Sequence, residues 1–226
     1  MRIESLDHVA LWISRRDELA DFLTAHLGMH VIDRTDAFTI VGAEARRGKL
    51  TLFEDSEQRD PGPLARIGLR VGDLERALGK LPRELPISRP KPHIAHFEAP
   101  EGLRLGLAEG EGAEYDIDHV LLHVSEPERA RGRFAELGFE LDGERLRVGD
   151  AWLELERGGP FGDERSLLNH LGLRVESAEE HLVEARRRGL EIADVVDAEN
   201  TYAVFVWGPD RIKLEYVEHK ASFSLV

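Results

Sequence analysis

The chain has 226 residues, a length that suits either one large domain or two domains of common size. Its net charge of −14 and its lack of a basic block argue against binding to nucleic acid or to an anionic membrane surface. It contains no cysteine, which excludes disulfides, thiol catalysis and thiolate ligands, so a metal ion must be held by His, Asp or Glu. Because no apolar run approaches a membrane span and no apolar signal region opens the chain, we expect a cytoplasmic protein.

Hydrophobic periodicity predicts two β-α-β-β-β units in the first half of the chain. Alternating apolar residues predict a strand over 3–13, and Ser14 is a typical start for the helix that Gly28 ends. The other elements predicted for this half are strands over 29–34, 37–42 and 48–54, a breaker-rich linker over 58–64, a strand over 65–71, a short helix over 73–81, a Pro-rich stretch over 82–92, and strands over 93–98 and 103–108.

The second half has the same predicted order of elements. They are a polar linker over 109–114, a strand over 116–124, a helix over 126–137, strands over 139–142, 145–148 and 151–156, then a strand over 169–175, a helix over 178–188, and strands over 190–197, 201–207 and 211–218. Each half is therefore predicted to contain two units of the same kind.

The two halves also repeat each other in their residues. The segment LDHVALWI at 6–13 matches IDHVLLHV at 117–124, and LARIGLRV at 64–71 matches LNHLGLRV at 168–175. Internal duplication predicts one supersecondary unit per repeat, packed against its neighbour. We therefore predict an α+β fold in which four β-α-β-β-β units pair into two curved-sheet domains with the helices outside.

The polar linker suggests where the two domains divide. An N-terminal pair of units over 1–110 is predicted to be a scaffold poor in metal ligands. A C-terminal pair over 115–219 is predicted to carry the metal site.

Two histidines and a glutamate are the candidate metal ligands. His119, His170 and Glu215 are predicted to lie on strand faces that point away from the helices, because side chains alternate along a strand. Two imidazoles and a carboxylate are the donor set of non-haem Fe(II) sites that leave positions open for oxygen and substrate. The matching positions of the first half hold His8, Arg66 and Gly106, which do not form such a set.

The four units, the Asp-His-Val strand openings and the segment GPDRIKLE at 208–215 resemble the vicinal oxygen chelate superfamily of glyoxalase I, bleomycin-resistance proteins and extradiol dioxygenases. A site in the C-terminal half alone is similar to the two-domain type I extradiol enzymes. The resemblance implies that His119, His170 and Glu215 bind Fe(II), or Mn(II). It also implies a catechol-like aromatic substrate with vicinal oxygens and dioxygen as the second substrate. A homo-oligomer is a separate expectation.

Two positions depart from the ring-cleaving members of the superfamily. Phe205 stands where they carry a tyrosine, and Glu156 stands where they carry a histidine. Such an enzyme still needs an acid-base group near the metal, and His123 and Tyr202 are the candidates for it. Phe205 and Trp207 are predicted to form an apolar wall for the substrate.

Glu156 also allows an alternative in which it is a fourth metal ligand. A four-ligand site resembles that of glyoxalase I and suits a lyase, isomerase or epimerase that uses Zn, Ni or Co as a Lewis acid. A further alternative is a protein that binds a small aromatic molecule without catalysis.

Overall fold

The computed structural model describes residues 1–159 and 166–225 of the chain. The predicted series of four β-α-β-β-β units is confirmed. The first unit contains β1 (Ser5–Ile13), α1 (Arg16–His26), β2 (His30–Arg34), β3 (Phe38–Gly42) and β4 (Lys49–Glu54). The second unit contains β5 (Leu64–Val71), α2 (Leu74–Leu78), β6 (Ser88–Lys91), β7 (Ile94–Glu98) and β8 (Arg104–Glu109).

The second half of the chain repeats this order. The third unit contains β9 (Ile117–Val124), α3 (Pro127–Glu136), β10 (Glu140–Asp142), β11 (Arg145–Val148) and β12 (Ala151–Arg157). The fourth unit contains β13 (Leu168–Arg174), α4 (Ala178–Arg187), β14 (Ile192–Asp197), β15 (Thr201–Trp207) and β16 (Lys213–His219).

One strand was not predicted from the sequence. The short strand β6 lies in the Pro-rich stretch and contains Pro90. It is the last strand at one edge of its sheet, where a proline is tolerated because it has no ladder partner on its outer side.

The units pair into two eight-stranded sheets, but not in the way that the domain prediction assumed. The first sheet joins units one and four in the order β14-β15-β16-β13-β1-β4-β3-β2, and the second sheet joins units two and three in the order β10-β11-β12-β9-β5-β8-β7-β6. At the centre of each sheet, the first strands of its two units pair antiparallel. These pairs are β1 with β13 in the first sheet and β5 with β9 in the second. The division into 1–110 and 115–219 is therefore wrong as a description of the sheets, because each half contributes one unit to each sheet.

The helices cover one face of each sheet, and strand alternation separates the two faces. In β1, Val9, Leu11 and Ile13 are fully buried in the core with Leu19 and Leu23 of α1. The alternate residues of β1 point to the opposite, concave face. Within the described part of the chain, no helix has the length and apolar content needed to span a membrane.

Two equivalent turns link the sheets. Glu101, in the turn before β8, accepts hydrogen bonds from the backbone N–H (3.0 Å) and the hydroxyl (2.8 Å) of Ser14, which follows β1. Asp210, in the turn before β16, accepts the same pair from Ser125, which follows β9, at 2.6 and 2.8 Å. Each contact joins an end of one sheet to a turn of the other.

Candidate metal centre

Three buried side chains converge on the concave face of the first sheet. They are His8 of β1, His170 of β13 and Glu215 of β16. The Nε2 atoms of the two histidines lie 2.9 Å apart, and Oε2 of Glu215 lies 3.0 Å from His8 Nε2 and 2.9 Å from His170 Nε2. We refer to these three residues as the triad.

Strand register brings the triad together. In the antiparallel pair of β1 and β13, His8 lies opposite Gly172 and His170 lies opposite Ala10. The parallel neighbour β16 places Glu215 beside Gly172. The His8 ring occupies the space above Gly172, where an added Cβ would lie 2.2 Å from His8 Cε1. The glycine is therefore needed for the histidine to reach the other two donors.

The spacing of the three donor atoms fits a divalent cation. Two neighbouring ligands at about 2.1 Å from an octahedral metal lie about 3.0 Å apart, whereas ligands of a tetrahedral metal lie about 3.4 Å apart. The observed separations of 2.9–3.0 Å match one face of an octahedron. Oε2 of Glu215 is also buried without a hydrogen bond of acceptable geometry, which is expected of an atom that serves as a metal ligand.

Electrostatics favour an ionised carboxylate at this position. Burial opposes the charge of Glu215, but the neighbouring His8 and His170 outweigh it and lower the pKa of Glu215 to about 2. Burial likewise opposes protonation of His8, but Glu215 and Asp7 raise the pKa of His8 to about 9. For His170, burial prevails and lowers the pKa. The Glu215 carboxylate is therefore ionised, and a metal ion bound at His8 Nε2 would take the place of the proton there, because a ligating imidazole must be neutral.

A buried carboxylate behind the triad orients His8. Oδ1 of Asp7 lies 2.8 Å from His8 Nδ1 and accepts a hydrogen bond from Lys49 Nζ at 2.7 Å. The other carboxylate oxygen lies 2.8 Å from His219 Nε2. Burial opposes the charge of Asp7, but Lys49 and the two imidazoles outweigh it and keep its pKa well below the usual range. An aspartate that accepts the Nδ1–H of a histidine directs its Nε2 lone pair toward the metal.

The structure does not bring the predicted ligand His119 to the triad. His119 lies in β9 of the second sheet, where its Nδ1 contacts Asp118 at 2.9 Å and its ring covers Gly68. It is the counterpart of His8, because both lie opposite a glycine of the central partner strand. The predicted grouping of His119 with His170 and Glu215 is therefore wrong, and His8 takes its place.

The second sheet keeps the same geometry without the ligands. Its position equivalent to His170 is Arg66, which lies opposite Leu121. Its position equivalent to Glu215 is Gly106, which lies beside Gly68 and is covered by His96 and Arg66. The three equivalent positions, His119, Arg66 and Gly106, thus provide one imidazole and no carboxylate, which does not make a divalent-metal site.

The predicted acid-base and fourth-ligand residues also lie elsewhere. His123 and Glu156 pair with each other across β9 and β12 of the second sheet. Tyr202 lies in β15 of the first sheet, but its hydroxyl donates to Glu179 of α4 at 3.1 Å, which places it on the helix-covered face. Those predictions are wrong because alternation and unit pairing send the three side chains away from the triad.

The two predicted wall residues do lie near the triad. The ring of Phe205 meets His170 edge-on with 5.1 Å between centroids. Trp207 lines an adjoining cavity of about 360 Å³ at the end of the first sheet, together with Trp12, Arg59 and Lys213.

Sequence reasoning missed His8 and the polar groups behind it. The signal was present, because Asp7-His8-Val9 repeats as Asp118-His119-Val120. The motif alone does not tell which copy meets His170, since that depends on which units share a sheet.

Comparisons with known proteins agree with this fold. Residues 5–102 match the family model of the glyoxalase/bleomycin resistance protein/dioxygenase superfamily. A putative dioxygenase from Bacillus subtilis superimposes with a TM-score of 0.79 at 17% identity, over 98% of this chain and 87% of that one. Glyoxalase I from Zea mays gives 0.76 at 17% identity, over 95% and 92%. The cppA protein from Streptococcus pneumoniae gives 0.66 at 16% identity, over 96% and 100%.

A comparison with curated protein sequences finds no match. The family model and the shared fold confirm the resemblance to the superfamily that was predicted from the sequence. At these identities the similar structures show the fold and do not assign a reaction.

Proposed function

We propose that this protein is a metal-dependent enzyme of the extradiol dioxygenase type, in which His8, His170 and Glu215 hold Fe(II) or Mn(II). The substrate is a small catechol-like molecule with vicinal oxygens. The observation that carries the proposal is the mutual spacing of 2.9–3.0 Å among three buried donors of two-histidine, one-carboxylate type. That donor set leaves positions for a bidentate substrate and for dioxygen.

The neighbouring strand supports three protein ligands rather than four. β4 lies beside β1, and its residues on the triad side are Lys49, Thr51 and Phe53. None of these is an imidazole or a carboxylate. Within residues 1–159 and 166–225, the cluster of possible metal ligands contains only the triad. A three-ligand site favours oxygen chemistry over the four-ligand isomerase arrangement.

Two residues beside the triad, Asp7 and Phe205, favour this chemistry. Bound iron supplies Lewis-acid and oxygen chemistry. Asp7 holds the Nδ1 proton of His8 and fixes its ring. Phe205 packs edge-on against His170 and so places an apolar ring beside the triad, which suits an aromatic substrate.

Metal titration of two matched variants tests the ligand assignment. His8→Ala removes a ligand and should weaken Fe(II) or Mn(II) binding by about 100-fold or more, the upper end of what second-shell losses cost. His119→Ala removes the counterpart histidine of the second sheet and should leave one ion per chain bound with unchanged affinity. Equal effects of the two variants, or a larger effect of His119→Ala, would contradict the assignment.

Oxygen uptake tests the reaction. The iron-loaded protein should consume dioxygen with at least one member of a catechol panel, and His8→Ala should abolish this uptake. A loaded protein that is silent with every catechol would exclude ring cleavage of those substrates.

A Lewis-acid isomerase or lyase is the second candidate, and Phe205 favours it. Phe205 replaces the tyrosine of the ring-cleaving members, so an acid-base group expected for ring cleavage is missing at that position. This candidate predicts activity with Zn, Ni or Co on a glyoxalase-type hemithioacetal, without oxygen uptake.

A further inference from the structure

We propose that the cavity beside the triad recognises an anionic substituent on the aromatic substrate, through the ammonium group of Lys213. The preferred substrate class is then a carboxylated aromatic compound with vicinal oxygens. This inference rests on the proposed function, because it names the substrate class of the same site.

Lys213 lies at the right place to meet a substrate held at the triad. It precedes Glu215 by two residues in β16, so both side chains point to the concave face. The parallel register of β13 and β16, with Leu171 opposite Leu214, places Lys213 next to His170. The Lys213 side chain is half-buried and lines the cavity.

Lys213 differs from the other cations of the cavity in lacking a carboxylate partner. Arg59 is paired with Asp55, and Arg211 is paired with Glu191 at 2.8 Å. In the part of the chain that the structure describes, Lys213 makes no ion pair and no hydrogen bond. A half-buried ammonium group without a partner is costly, and a bound anion supplies the missing partner.

Asp210, the cavity's own carboxylate, does not fill this role. Both of its oxygens accept hydrogen bonds from the backbone and hydroxyl of Ser125. The carboxylates of Asp194 and Glu215 also act on Lys213 electrostatically, but neither forms an ion pair with it. The Lys213 ammonium therefore stays available to a ligand.

The remaining walls fit a flat ring. Trp12 and Trp207 line the cavity, and the guanidinium groups of Arg59 and Arg211 cover their rings at 4.6 and 4.1 Å from the centroids. The Lys213 ammonium lies 5.8 Å from the ring centroid of Trp207. A volume of about 360 Å³ accommodates a single-ring compound.

The charge of the whole chain makes this local arrangement selective. At a net charge of −14 the protein repels anions in general. An anionic substrate therefore needs a local cation at its binding site, and a neutral catechol gains nothing from Lys213.

Binding of two related compounds tests the proposal. Quenching of tryptophan fluorescence in the Mn(II)-loaded protein under anaerobic conditions reports on the cavity, because Trp12 and Trp207 line it. We expect 3,4-dihydroxybenzoate to bind about 10-fold or more tightly than catechol, the lower range for a charge-assisted hydrogen bond. Lys213→Met should remove this preference, and Lys213→Arg should retain it.

Lys220→Met is the matched control. Lys220 lies just beyond the far end of β16, and its ammonium is paired with Asp197. This variant should keep the preference for the carboxylated compound. Equal affinity of the two compounds for the wild-type protein, or a preference that survives Lys213→Met, would overturn the proposal.

Failure of this proposal is distinguishable from failure of the proposed function. The His8→Ala metal titration does not involve Lys213, so an unaltered metal affinity there counts against the function alone. If His8→Ala weakens metal binding as expected but Lys213→Met does not change the preference for the carboxylated compound, the result counts against the anion site alone.

Discussion

His8 and His119 have the same local surroundings. Each follows an aspartate that contacts its Nδ1, at 2.8 Å for His8 and 2.9 Å for His119. Each ring covers a glycine of the central partner strand. What distinguishes the two histidines is the chemistry of the strands beside them, which is His170 and Glu215 in one case and Arg66 and Gly106 in the other.

Asp7 provides a residue-scale test of this difference. Asp7→Asn weakens the acceptor that orients His8, so metal affinity should fall by about 10–100-fold, the usual loss for an outer-shell partner. Competitive metal titration measures the change. The variant also leaves Lys49 without its buried anion, so thermal unfolding is needed to verify that the protein is folded at the titration temperature.

Asp118→Asn is the control for Asp7→Asn. It changes the same contact on His119 and should leave metal affinity unaltered. If metal affinity fell equally in Asp7→Asn and Asp118→Asn, the effect of Asp7→Asn would not come from the contact between Asp7 and His8.

At the scale of elements, alternation along the strands was informative. It correctly predicted that His170 and Glu215 point away from the helices. Tyr202 was predicted as an acid-base group without regard to alternation. It lies three residues from Phe205 in β15, so alternation places the two side chains on opposite faces, and the Tyr202 hydroxyl meets α4.

Gly172 and Gly68 provide a test at this scale. In Gly172→Ala the new Cβ would lie 2.2 Å from Cε1 of His8, and in Gly68→Ala it would lie 2.1 Å from Cε1 of His119. Either change forces a ring to move, and overpacking of this kind costs about 1–3 kcal/mol of stability.

The two glycine variants should differ in metal binding. Only Gly172→Ala displaces a triad residue, so it should lower metal affinity by about 10-fold or more, and Gly68→Ala should not. Denaturant unfolding and metal titration of both variants separate the shared loss of stability from the specific loss of binding. A metal affinity unchanged in Gly172→Ala would show that His8 is not needed at its observed position.

At the scale of the whole molecule, the repeat predicted four units but not their partners. The opening strands 6–13 and 117–124 have nearly the same apolar pattern. Either strand can therefore bury its apolar face against the helices in either sheet, and the pattern does not tell which sheet it joins. Neighbouring units along the chain are the common choice, and the prediction followed it. The chain instead pairs its first unit with its last, and this choice decides which histidine meets His170.

The turns at Glu101 and Asp210 hold the two sheets together across this exchange of units. Glu101 is buried, and its backbone φ is +65°, a conformation that costs a glutamate energy. The carboxylate accepts two hydrogen bonds from Ser14 and one at 2.8 Å from Arg15 Nε. The positive φ of Glu101 is thus kept together with its three hydrogen bonds to Ser14 and Arg15. We infer that these bonds offset the backbone strain and that the contact between the sheets stabilises the fold.

Glu101→Gln tests that role through its dependence on pH. Burial opposes the charge of Glu101, but Ser14 and Arg15 outweigh it and lower the pKa of this carboxyl. A carboxyl with a lowered folded-state pKa stabilises the fold above its unfolded value of about 4.3, and this stabilisation is lost as the pH falls through the folded-state value. The variant should therefore be less stable than wild type by about 2 kcal/mol at neutral pH, and the difference should shrink in acid.

Denaturant unfolding at about pH 7 and about pH 3 measures this difference. Glu98→Gln changes an exposed carboxylate on the same hairpin and should have little effect at either pH. A loss of stability in Glu101→Gln that is the same at both pH values would mean that the charge of Glu101 does not hold the sheets together. The contact would then act through shape alone, since glutamine keeps the size of the side chain and one acceptor oxygen.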